Sequence, residues 1–139
     1  MFIQNWHEKL SESDRCQTYI SFKLNFGKEK YIDDISINRF RQAFARLCLG
    51  ANALAINNQY IQEVPETNCK VCYVPETEIH FILHCPLYVD VRRKHLSVFG
   101  KLKDIRSINA LLGNPDKDKV RALATYIYHA SKRRQERMP

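Results

Sequence analysis

Long apolar runs are missing from this chain. No stretch approaches the ~18 consecutive apolar residues that a membrane span needs, and the opening MFIQNWHEKLSESDR reaches charge at His7-Glu8-Lys9 without an apolar core. A secretory signal is therefore not expected, and the expected setting is intracellular and reducing, nuclear or cytoplasmic. Glycine is scarce, at four residues. No biased segment or internal repeat is visible, which argues against repeat arrays and low-complexity linkers. The H-x-E sequence that a zinc-dependent nucleobase deaminase needs is also absent, and His7-Glu8 has the wrong spacing for it. Catalysis is not expected.

What is present is the composition of a folded domain. Of 139 residues, 45% are hydrophobic and 11% aromatic, enough for one core and too little chain for a large multi-domain enzyme. The formal net charge is +7. A surplus of that size makes a polyanion such as nucleic acid a natural partner.

Hydrophobic periodicity predicts a mainly α fold, a single domain over 1–139. Its parts are a helical region at 1–50, a connector at 51–68, a small knuckle at 69–85 inserted between helices, and further helices at 86–139. Phe2, Trp6 and Leu10 recur four apart. A second helix is expected over about 14–26, with Ser13 as cap and Gly27 beyond its end. Ser36 is placed to cap a third helix, in which Ile37, Phe40, Phe44 and Leu47 form a stripe that Gly50 terminates. Around Asn57-Asn58 the pattern fails, as at a turn or small hairpin. Pro86 can open a helix that runs to about Phe99 before Gly100. A short apolar piece at 105–112 follows. Asn114-Pro115-Asp116 then starts a last helix with Val120, Leu123, Ala124, Ile127 and Tyr128 on one face. Cys16 and Cys48 fall inside periodic segments, as small core residues do.

The other three cysteines lie in CKVCYVPETEIHFILHC. Cys69-x2-Cys72-x7-His80-x4-Cys85 is a set of three thiolates and an imidazole that suits tetrahedral Zn2+. Four protein ligands leave no open coordination position, so the metal is expected to be structural. Thr77 can cap a short helix from Glu78 to His84. His80 and Cys85, five apart, do not share an α-helical face, so that helix must break or tighten near Cys85, where Pro86 follows. His84 is the competing imidazole, and the x4 interval favours His80.

Tyr31-Ile32-Asp33-Asp34 copies the tetrapeptide with which reverse transcriptases bind two metal ions. That chemistry needs a hairpin in a palm sheet and a third carboxylate. The flanks here are not apolar strands, and the expectation is a half-buried turn with Asp33 and Asp34 solvated.

Taken together, SDRCQTYISFKLNFGKEKYIDD, RFRQAFARLCLGANALAIN and the knuckle followed by CPLYVDVRRK resemble the region downstream of the polymerase in non-LTR (LINE-type) retrotransposon polyproteins. Glu76, His80, Phe81, Leu83, Cys85, Pro86, Tyr88 and Arg92 carry the most specific part of the likeness, a knuckle that ends in HFLL-x-CPLY-x-x-x-R. The closing KVRALATYIYHASKRR is similar to the helix that ends such proteins. Cys48 and Asn52 depart from the arginine and histidine usual there. The resemblance implies an excised C-terminal module, or a host protein derived from one, in which a zinc knuckle contacts nucleic acid and positions RNA or target DNA.

Basic residues supply the candidate contacts: Arg39 and Arg46 on one face of the third helix, Lys70 in the knuckle, Arg92, Arg93 and Lys94 after it, and Lys132, Arg133 and Arg134 in the last helix. Tyr73 and Tyr88 are the aromatic candidates for stacking on single-stranded bases. A zinc-stabilised nucleic-acid-binding module is the reading these residues favour. The alternative is a protein–protein interaction domain whose zinc only holds the fold and whose partner is a polymerase or another protein.

Overall fold

A computed structural model describes residues 30–49, 53–56, 66–102, 105, 111–112 and 116–137. The helices expected over 2–10 and 14–26, the turn at Asn57-Asn58, the stop at Gly50 and most of the 105–112 piece lie outside these residues. The protein is mainly helical, and no strand occurs among the described residues. No helix among them is long and apolar enough to cross a membrane.

Four α-helices frame the described part: α1 (Lys30–Asp34), α2 (Asn38–Cys48), α3 (Val89–His95) and α4 (Lys117–Arg137). The YIDD sequence is the body of α1 rather than a turn. Tyr31 packs on Phe44 at 5.0 Å, Asp33 is exposed, and Asp34 is buried, not solvated as its composition implied. Burial of Asp34 follows from docking: its carbonyl accepts the Arg121 Nε–H of α4 at 2.6 Å.

Helix α2 begins one residue later than the sequence implied. Ile37 is the cap position, exposed and without a side-chain cap, so Ser36 does not serve. Arg41 does the fastening instead, donating to the Ile35 carbonyl at 3.2 Å and to Asn38 Oδ1 at 3.0 Å. Phe44, Leu47 and Cys48 form its buried face, and Phe40 is packed against the core.

The start of α4 is as its sequence implies. Asp116 Oδ1 accepts from the Asp118 and Lys119 N–H groups, an N-cap that satisfies two of the free amides of the first turn. Val120, Leu123, Ala124, Tyr126, Ile127 and Ala130 are buried along 21 residues. That face packs on α2 and α3 and closes the core over the knuckle. The polypeptide from Pro86 to Phe99 is a 3-10 turn (Pro86–Tyr88), then α3, then a second 3-10 turn (Ser97–Phe99), ending at Gly100 with φ +71°. That angle is one that glycine adopts without strain.

Candidate metal centre

The knuckle is a tight hairpin. Cys69 N–H donates to the Val74 carbonyl at 2.7 Å, Tyr73 N–H to the Cys69 carbonyl at 2.8 Å, and Glu76 N–H to the Thr67 carbonyl at 3.0 Å. Asn68 and Pro75 bridge its base. The reversal places Tyr73 at φ +60°, the sole non-glycine at positive φ among the described residues.

After the hairpin, Thr77 caps a helical turn as its sequence implies, its Oγ1 accepting the His80 N–H at 3.2 Å. The helix ends at Cys85, extended at φ −66° and ψ 123° before Pro86, as expected, but the turn leading to it does not tighten. It widens: His80–His84 is a π-turn, and Cys85 N–H donates to the His80 carbonyl at 2.9 Å. A hydrogen bond closed over five residues rather than four turns residues i and i+5 towards one side. That is how a histidine and a cysteine five apart meet.

The four predicted ligands converge. The donor atoms of Cys69, Cys72, His80 and Cys85 lie within 4.8 Å of one another. Cys85 Sγ is 4.0 Å from Cys69 Sγ and 3.9 Å from Cys72 Sγ. None of these cysteines is in a disulfide. His84 is exposed and stands outside the cluster. The His80 Nε2 is buried without a hydrogen-bond partner. Burial holds the His80 imidazole below its ordinary pKa, which keeps the neutral, ligating form. Burial pushes the Cys85 thiol up to about 12, with the Leu87 backbone N–H pulling the other way and the Cys69 sulfur adding to the rise. The Cys72 thiol is also raised, first by burial. Three sulfurs packed so closely ionise together only if a cation compensates them.

What surrounds the cluster is structural. A π-turn leaves its last carbonyls without helical partners, and two of them, with the Cys85 carbonyl just beyond, take donors from side chains elsewhere. Tyr126 Oη donates to the Phe81 carbonyl at 2.6 Å. Arg92 donates from Nε to the Ile82 carbonyl at 2.7 Å and from Nη2 to the Cys85 carbonyl at 2.9 Å. Arg92 is therefore buried and occupied, and is corrected from a candidate phosphate contact to a clamp on the turn. Tyr88 is likewise corrected: it is 1% exposed, edge-on to Phe81 at 5.0 Å, and has no face to offer a base.

Arg134 is the third correction. Its guanidinium makes a forked contact with both carboxylate oxygens of Glu76, which is 1% exposed and also accepts the Ala55 N–H. Arg133 pairs with Asp90 and reaches the Leu87 carbonyl. The last helix does fold back beside the knuckle, but these two arginines are used in holding it there. Arg39, Arg46, Lys70, Tyr73, Arg93, Lys94 and Lys132 are exposed as expected. Arg39, Arg46 and Lys132 line a groove between α2 and α4, whereas Lys70 and Tyr73 sit on the hairpin. Sequence reasoning missed Tyr126 and Glu76 as supports: Glu76 was named only for its place in the resemblance, and for Tyr126 a phenol on the apolar face of the last helix was the available signal. No protein family, curated protein or solved structure matches the chain.

Proposed function

We propose that the chain is a zinc-stabilised nucleic-acid-binding module of a retrotransposon-type polyprotein, or of a host protein derived from one. It positions RNA or target DNA and performs no catalysis itself. The observation that carries the metal assignment is the convergence of three sulfurs and a buried, unpartnered imidazole nitrogen. A tetrahedron with metal–sulfur bonds of ~2.3 Å requires sulfurs about 3.8 Å apart; the two distances here are 3.9 and 4.0 Å. Held by this set, zinc would cross-link the hairpin to the π-turn and supply no open position for a substrate. The net charge of +7 and the exposed cations support a polyanionic partner.

The exposed Val71, Tyr73 and Val74 at the hairpin favour a second reading, a protein-interaction domain that uses an apolar tip. One measurement separates the two. Zinc content by mass spectrometry, followed by fluorescence titration of labelled RNA and DNA, should show one zinc per chain and salt-sensitive binding. Zinc-loaded protein that binds neither near physiological salt leaves the interaction domain standing.

A further inference from the structure

The groove between α2 and α4 lies apart from the four metal-ligand candidates, and its lining is unusual in charge. It has a volume of about 540 Å³, with a floor of Leu47, Leu54, Phe81 and Ile127. Sites that hold a small organic group commonly span about 300–1,000 Å³. Arg39, Arg46, Lys132 and Arg134 stand in its walls, and no carboxylate lines it among the described residues. Arg134 is committed to Glu76. Arg39, Arg46 and Lys132 have no ion-pair partner among the described residues.

Like charges are held together here. Arg39 lies over the Tyr128 ring at 5.5 Å and Lys132 over the same ring at 5.0 Å, each from a different helix. Their charges repel within a Debye length of ~8–10 Å, and an anion between the walls would relieve that repulsion. One small anion does not suffice. The backbone positions of Arg39 and Arg46 are seven residues apart on α2, about 10 Å along the axis. A chain of regularly spaced anionic groups meets that spacing, and the apolar floor between the cations calls for a flat apolar body carried by the same chain.

We propose that this groove seats a single polynucleotide strand, with an unstacked base on the apolar floor and the flanking phosphates on Arg39, Arg46 and Lys132. The proposal rests on the nucleic-acid reading above and moves the contact surface away from Arg92, Tyr88 and the knuckle. It also separates single strand from duplex, because a paired base cannot reach the floor. RNA and DNA share the required chemistry.

The test uses the zinc-loaded full chain and fluorescein-labelled twelve-nucleotide U and dT oligomers, a duplex of equal length, and a polyglutamate peptide. The R39A/R46A/K132A variant removes exposed side chains, so its helicity and zinc content should match the unmutated protein. Its affinity for both single strands near 0.1 M salt should fall about a hundredfold, and its slope of log K on log salt should flatten by about 2, at ~0.7 per contact. The R93A/K94A variant, outside the groove, should bind nearly as the unmutated chain does. A Ser131→Trp substitution, which fills the groove without removing charge, should weaken single strands and leave the salt slope unchanged.

If the triple variant retains affinity while R93A/K94A loses it, the groove assignment is overturned and nucleic-acid binding stands. Tighter binding of the duplex or of polyglutamate than of the oligomers overturns the single-strand seat. Absence of binding by the unmutated chain overturns both readings.

Discussion

The Cys85 amide donates to the His80 carbonyl, five residues back, at 2.9 Å. This one hydrogen bond converts an α-turn into a π-turn and turns two residues of unlike spacing towards one centre. The carbonyls of Phe81 and Ile82 within the turn, and of Cys85 just beyond it, accept from the Tyr126 and Arg92 side chains. The knuckle, α3 and α4 are thereby fastened together at the candidate metal centre.

Metal removal is expected to cost folding free energy directly. Cys72→Ser and His80→Ala should each lose zinc and, with it, helicity, because thiolate–zinc binding energy is folding energy in sites of this kind. His84→Ala should keep both. Metal content and circular dichroism check this, and the ligand assignment fails if His84→Ala strips the zinc while His80→Ala retains it.

Arg92→Ala should destabilise the protein by about 2 kcal/mol, since it leaves the buried Ile82 carbonyl without a donor and the Cys85 carbonyl with only the Tyr88 N–H at 3.3 Å. Arg93→Ala, at an exposed position, should stay within about 0.5 kcal/mol of the unmutated protein. Tyr88→Phe should be neutral or gain about 1 kcal/mol, because the Tyr88 hydroxyl is buried with no hydrogen-bond partner. Denaturant melts of the zinc-loaded variants test all three. A neutral Arg92→Ala would contradict the clamp.

Glu76→Gln should cost about 3 kcal/mol, the lower end of what removing one partner of a buried pair costs, as the Arg134 side chain keeps 15% exposure. The double variant E76Q/R134M should lose less than the sum of its two single variants. Additive stability losses in the double-mutant cycle would show that the pair is not coupled.

Tyr73→Gly should raise stability by about 1 kcal/mol. It relieves a left-handed residue at φ +60°, offset in part by the entropy that glycine adds to the unfolded chain. Tyr73→Ala should not, because alanine carries the same Cβ penalty. The melting temperatures of the two variants decide the matter.

Acid should destabilise the α3–α4 contact. The His95 and His129 rings stack at 5.2 Å with 7° between their planes. Burial lowers both pKa values first; His129 and Lys94 then lower that of His95, and Lys94, Lys132 and Arg39 lower that of His129, which the Phe40 and Tyr128 rings also adjoin. A histidine with a depressed folded pKa takes up its proton more readily when unfolded. Its stabilising contribution is therefore complete above about pH 6.5 and is lost as pH falls through the lower folded value. The H95N/H129N variant should show a smaller loss of stability between about pH 7 and pH 5 than the unmutated chain. Equal losses would contradict the prediction.

The sequence by itself determined what depends on local order along the chain. The donor set Cys69, Cys72, His80 and Cys85, the Thr77 cap, the Asp116 start of α4 and the stripes of α2 and α4, apart from the exposed Ile37 and the half-buried Tyr128, are legible as residue type and spacing. Each rests on the period of a helix or the chemistry of one side chain. Only the tertiary structure decided the fate of the conspicuous polar residues. Arg92 and Tyr88 read as contacts because charge and aromaticity are visible in a sequence, whereas the carbonyls that a π-turn frees are not. Arg134 likewise became a strut because α4 folds back over Glu76, 58 residues away. Arg39, Arg46 and Lys132 became neighbours across one groove by the same docking. Spacing fixes which side chains share a helix face; which faces then meet is set by the packing of elements remote in sequence.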